Sequence, residues 1–192
     1  HETSEDELYE QAMERIREII AMGTGCVEIK SGYGLTTEDE LKMLRVIRRI
    51  RETSPITVRA TFLGAHAVGR AYKGRQQEYV DLICREMIPA VGREKLAEFV
   101  DVFCDQGFFT VEETEQILRA GAEYGLVPKI MPTSWPFRAV CRSVSATRRC
   151  PSIIWSAWGP RRLKCCVRPV RCRRCCRVPL SSWRCRILLH GQ

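Results

Sequence analysis

Through residue 130, apolar residues recur at helical spacing in four stretches and crowd into short β-rich runs between them. Leu8, Met13, Ile16, Ile19 and Ile20 form one stripe, opened by Ser4 and Glu7 in a capping-box pattern and ending near Gly23. Leu41, Leu44, Ile47 and Ile50 form a second, with Arg45, Arg48, Arg49 and Arg51 on the opposite face; Thr37 and Glu40 read as its cap and Pro55 as its end. A third helix is predicted over roughly residues 76–90, where Val80, Ile83, Cys84, Met87 and Ile88 share a face. A fourth runs from about Val111 to Tyr124, with Gly125 as its stop. The intervening runs at residues 25–29, 56–63 and 99–104 read as strands, and a fourth strand begins at Val127.

Alternation of helix and strand, with about thirty residues per unit, predicts a parallel sheet joined by helical crossovers. Two architectures fit: a doubly wound sheet and a (β/α)8 barrel. No Gly-x-Gly-x-x-Gly loop follows any strand, which weakens a dinucleotide-binding version. In either architecture the working residues lie just past the carboxyl ends of the strands. Those positions hold Tyr33, His66 and Asp105 after three successive strands, and the fourth would lie just past Ile130.

Composition changes abruptly there. Residues 1–130 hold all 23 acids and 17 of the 31 Lys and Arg, a net charge of −6; residues 131–192 hold the other 14 cations and no acid. The second segment also has all 4 Trp, 8 of the 11 Cys and 6 of the 9 Pro. The pI of 9.1 therefore comes from the tail and is poor support for a nucleic-acid-binding folded surface. No apolar run is long enough to span a membrane. The chain opens without Met, directly into an acidic helix start, as expected of an internal piece of a longer cytoplasmic protein lacking a secretory signal. Cys26, Cys84 and Cys104 read as buried thiols.

Val27-Glu28-Ile29-Lys30-Ser31-Gly32-Tyr33-Gly34-Leu35 and Thr61-Phe62-Leu63-Gly64-Ala65-His66-Ala67 resemble the imidazolonepropionases. So do Tyr72-Lys73-Gly74-Arg75 and residues 99–104; one local departure is Gly69-Arg70-Ala71, where the family usually has a Pro-Pro-Glu-like stretch. The resemblance covers residues 1–130 and implies a fold: α/β, a partial TIM-like (β/α)8 barrel of the amidohydrolase type with about four βα units, and hence a sheet with open edges. It also implies a reaction, the metal-dependent hydrolysis of a ring C–N bond of 4-imidazolone-5-propanoate to N-formimidoyl-L-glutamate in histidine degradation. Tyr33 and His66 take the family's substrate-binding positions. A Tyr between glycines is ordinarily a turn residue, and a His after a strand ordinarily a structural one; the resemblance reverses both expectations. No role follows for Asp105, or for Glu28 and Lys30 beyond pairing or pointing inward.

The resemblance further implies Zn or Fe, held by a His-x-His pair upstream of His1, a His after Ile130 and a later Asp. This chain is expected to bind neither metal, to retain no complete catalytic set and to be inactive. The implied partner is the small-molecule substrate, without membrane or nucleic acid, and a homo-oligomer stays open for the intact enzyme.

Met131-Pro132-Thr133-Ser134-Trp135-Pro136 stands where the family has His-Ala-Asn-Glu-Leu. Written as codons, preceded by one C and regrouped, it becomes CAT GCC NAC NAG YTG GCC. This reads His-Ala, permits Asn and Glu, and gives Leu-Ala. Residues 147–156 regroup in the same frame to permit Tyr-Ala-Ala-Leu-Ser-Val-Asp-His-Leu-Glu, another family-like stretch. Residues 131–192 are therefore expected to be an out-of-frame, disordered tail rather than a native domain. The alternatives are a fragment of another amidohydrolase, or a non-catalytic α/β binding protein. In the latter, the tail's Cys172-x-x-Cys175 pair and Arg clusters would bind zinc or nucleic acid.

Overall fold

The computed structural model describes residues 2–131 and, as strands only, Ile154–Trp155 and Arg186–Leu188. The order is α1 (Glu5–Ala21), β1 (Cys26–Lys30), α2 (Thr37–Thr53), β2 (Thr57–Ala65), a 3-10 turn at Arg70–Tyr72, α3 (Gln76–Leu82), α4 (Ile88–Glu94), β3 (Phe99–Val102), α5 (Val111–Glu123) and β4 (Val127–Ile130). The two short strands are β5 (Ile154–Trp155) and β6 (Arg186–Leu188). Among the described residues no helix is long and apolar enough to cross a membrane.

The strands lie in the order β5-β4-β3-β2-β1-β6, and all neighbours are parallel. β1 to β4 thus follow one another across the sheet with no reversal of order. Alternate strand residues Val27, Ile29, Val58, Ala60, Phe62, Val100, Val102 and Ile130 share one apolar core with all five helices. The helices therefore cover one face of the sheet. A doubly wound sheet needs helices on both faces and a reversal in strand order; within β1 to β4 and the described helices neither is present. The other face carries Glu28, Lys30, Thr61, Asp101 and Lys129.

Four expectations are corrected. The edges of β1 and β4 are not open: β6 pairs with β1 and β5 with β4. Their unpaired amides and carbonyls are templates for added strands. The third helix does not stop near residue 90 but continues to Glu94 through a π-type turn at Ile83–Met87. The wider turn lies just before Pro89, whose ring would otherwise press on the carbonyl four residues back. The α2 cap is Thr36, whose side chain accepts from Asp39 N–H, rather than Thr37 with Glu40. Cys104 is buried, but Cys26 and Cys84 are only half-buried. The expectation of a disordered tail without a native domain falls, β5 and β6 apart, outside the described residues.

Candidate functional site

The site is built on the two glycine-rich loops that follow β1 and β2. Ser31 continues the line of β1: its N–H donates to the Thr61 carbonyl at 3.1 Å, and its hydroxyl accepts from Leu63 N–H at 3.1 Å. The chain then turns through Gly32 at φ +114°. A Cβ there would lie 2.7 Å from the Leu63 carbonyl oxygen and 3.2 Å from His66 Cβ. Only glycine lets the first loop lie this close to the second. Gly34 is equally confined, since its Cβ would sit 2.6 Å from that of Asp39.

β2 delivers His66 through an irregularity. Phe62 faces Val100 and Ala65 faces Val102, so Leu63 and Gly64 together oppose Asp101. The extra residue re-aims the end of the strand. Tyr79, fully buried, fixes this bulge by donating its hydroxyl to the Gly64 carbonyl at 3.0 Å.

Tyr33 and His66 meet edge to face, with ring centroids 5.0 Å apart and planes at 65°. His66 Nδ1 lies 3.3 Å from the Gly32 carbonyl. A carbonyl only accepts, so Nδ1 carries the proton of this bond. Burial raises the Tyr33 pKa, which keeps its phenol a donor at neutral pH. The rings of Phe103 and Phe108 extend the aromatic wall: His66 to Phe103 is 6.0 Å and Phe103 to Phe108 is 4.2 Å. Phe103 escaped the sequence reading because it looks like a strand-core residue. Its odd-numbered parity with Phe99 and Asp101 was the available signal.

Asp105 stands past the end of β3, in a local turn. Its carboxylate accepts from Gln106 N–H at 2.8 Å and its carbonyl from Phe108 N–H at 3.0 Å, as in a local turn. Glu28 and Lys30 do pair, at 3.5 Å. Lys129 donates to the same Glu28 oxygen at 2.8 Å, Thr61 donates to it at 2.7 Å, and Lys30 bonds Asp101. Burial works to raise the Glu28 pKa, but Lys30, Lys129 and Thr61 together bring it below the usual value. Burial pushes Lys129 the other way, below the usual amine range, against the pull of Glu28.

The described residues hold no group of three or more His, Cys, Asp or Glu placed for a metal ion. The carboxylates of Glu28 and Asp101 are taken up by lysines. These paired residues do not fit a metal.

A second carboxylate completes the first loop. Glu40, fully buried on α2, accepts from the N–H groups of Gly32 (2.9 Å), Gly34 (2.8 Å) and Leu35 (3.1 Å). Sequence reading took Glu40 for a helix cap. Its signal was the spacing to a loop rich in glycine, whose amides are free to converge.

No family model matches the chain. It is 56% identical over 130 residues to the imidazolonepropionase of Flavobacterium johnsoniae, a span of 68% of this chain and 32% of that protein. It is 51% identical over 129 residues to that of Christiangramia forsetii (67% and 31%). It is 48% identical over 129 residues to that of Clostridium tetani, again 67% and 31%. The chain thus spans about a third of the length of the relatives it matches. A dipeptide epimerase from Methylococcus capsulatus aligns with 81% of this chain and 53% of its own, at 11% identity and a TM-score of 0.28, too low to bear on the fold.

Proposed function

We propose, from the premise that two thirds of this chain are imidazolonepropionase-like, that it carries part of the substrate site of such a hydrolase. The reaction is hydrolysis of 4-imidazolone-5-propanoate at a ring C–N bond, yielding N-formimidoyl-L-glutamate in histidine degradation. The observation that carries this reading is the contact of Tyr33 with His66 at the ends of neighbouring strands. The Tyr33 hydroxyl donates to the substrate's carboxylate or ring oxygen, and His66 Nε2 accepts from a ring N–H. Phe103 offers an apolar wall beside the ring.

By resemblance, a ligand for Zn or Fe falls just after Ile130, where Met131-Pro132-Thr133-Ser134-Trp135 stands in place of His-Ala-Asn-Glu-Leu, so the chain as written is inactive. Its tail is the product of a one-base shift near codon 131, and the metal-binding His and its acidic neighbour are lost in that shift. Detectable turnover with added Zn would contradict the inactivity.

Titration of the full chain with 3-(imidazol-4-yl)propanoate, a planar ring with the same acid tail, tests the substrate site. His66 ring signals move on addition, and Tyr33→Phe and His66→Gln each weaken binding at least about tenfold, the loss of one charge-assisted hydrogen bond. Binding indifferent to both substitutions would sink this reading.

A further inference from the structure

We propose that Glu40 is the positioning residue of this site: its carboxylate is the internal anion around which residues 31–35 are folded, and it thereby sets Tyr33 against His66. The proposal rests on the reading of Tyr33 and His66 as the substrate pair.

Three amides of one short loop converge on a single side chain. Gly32 N–H lies 2.9 Å from one Glu40 oxygen, while Gly34 N–H and Leu35 N–H share the other at 2.8 and 3.1 Å. Tyr33 sits between two of these anchors. Gly32 is tied at both ends, since its N–H goes to Glu40 and its carbonyl accepts from His66 Nδ1–H at 3.3 Å. Glu40, Gly32 and His66 thus form a relay of two hydrogen bonds. Leu35 adopts a left-handed φ of 56°, rarely chosen by a non-glycine residue and held here by its own bond to Glu40.

Two blander roles do not account for Glu40. Helix capping is done by Thr36, which accepts from Asp39 N–H at 3.2 Å. Packing alone would favour an apolar side chain, because burying a carboxylate costs free energy that its bonds must offset. Among the described residues no Lys or Arg pairs with Glu40; the groups that favour its charge are the Gly32, Gly34 and Leu35 amides and the Ser31 side chain. Directed amides of this kind hold an anion in a fixed place, as at other backbone nests.

Glu40→Gln in the full chain tests the idea. The amide keeps the size but presents N–H donors to N–H donors. Circular dichroism shows whether the helices persist, and the ring nitrogens of His66 are followed by NMR. In the unmodified chain these nitrogens report the Nδ1–H tautomer. In folded Glu40→Gln they become a mixture, and the amides of Gly32, Gly34 and Leu35 exchange at least about tenfold faster. A folded Glu40→Gln chain with unchanged His66 nitrogens would overturn the proposal. If that variant does not fold, the unmodified chain decides: slow exchange of those three amides supports the proposal, and exchange at rates of unstructured amides overturns it. Failure of the substrate reading registers separately, as His66 signals in the unmodified chain that ignore 3-(imidazol-4-yl)propanoate while their dependence on Glu40 stands.

Discussion

Before Ile130, Lys30 and Lys129 reach the sheet's polar face only in the company of Asp101 and Glu28. After it, 14 cations stand in the last 62 residues with no acid among them. In the first segment the charges on the sheet's polar face are paired at atomic range, as buried charge requires. The second could not balance its own charge in any fold it formed alone. The 130-residue span of the similarity to F. johnsoniae equals the length of the balanced segment. The contrast between the two regions is thus one of composition and of likeness to known proteins.

Removing a partner from the balanced side tests it most severely. Asp101→Ala takes from Lys30 its nearest carboxylate, leaving the longer 3.5 Å pairing with Glu28, and lowers stability by up to about 3–5 kcal/mol, read from the urea midpoint. Replacing both residues with apolar ones restores most of that. An unchanged midpoint for Asp101→Ala would show that the charge pattern before Ile130 is incidental.

Gly32→Ala comes next. It combines a forbidden φ with a 2.7 Å clash against the Leu63 carbonyl, and costs about 1–3 kcal/mol while separating the Tyr33 and His66 rings. Loss of the ring contact in the NMR spectrum checks the second part.

Two buried carboxylates respond to pH in opposite directions. Burial lifts the Glu40 pKa above the ordinary 4.5, against the loop amides and Ser31. As pH falls from neutral through its folded value toward 4.5, the folded chain takes up a proton first, and stability rises. Glu28 lies below 4.5 because its lysines outweigh burial. Its contribution is present above 4.5 and is lost as pH falls through its folded value. Urea midpoints should therefore rise as pH falls through the folded Glu40 value and fall again in acid as Glu28 is protonated. Glu40→Gln removes the rise and leaves the acid limb.

The smallest effect belongs to an exposed pair. Arg119, bonded to Glu115 one helical turn back at 2.6 Å, is expected to change stability by only about 0.3–0.5 kcal/mol when replaced by Ala. A loss as large as that of Asp101→Ala would erase the distinction between buried and surface charge.

The order of helices and strands was legible because amphipathic stripes and β-rich runs alternate without ambiguity from Ser4 to Ile130. Tyr33 and His66 were singled out through the resemblance of their loops, and the fold brings their rings together. Their ring-to-ring contact was not, because it depends on the two-residue bulge at Leu63 and Gly64, a matter of strand register that composition does not encode. Glu40 was misassigned because Thr36-x-x-Asp39 and Thr37-x-x-Glu40 fit a cap equally well, one residue apart. Only the fold shows which carboxylate points back into the loop. The third helix was read only to about residue 90, and a local π-type turn carries it on to Glu94.

The nucleotide sequence across codons 125–200, read in all three frames, tests the central claim most directly. The account predicts that one added base near codon 131 opens a frame encoding His-Ala-Asn-Glu-Leu and, further on, Ser-Val-Asp-His-Leu-Glu. An uninterrupted frame for the Arg- and Cys-rich tail, with constrained codon usage and no such alternative, would contradict it.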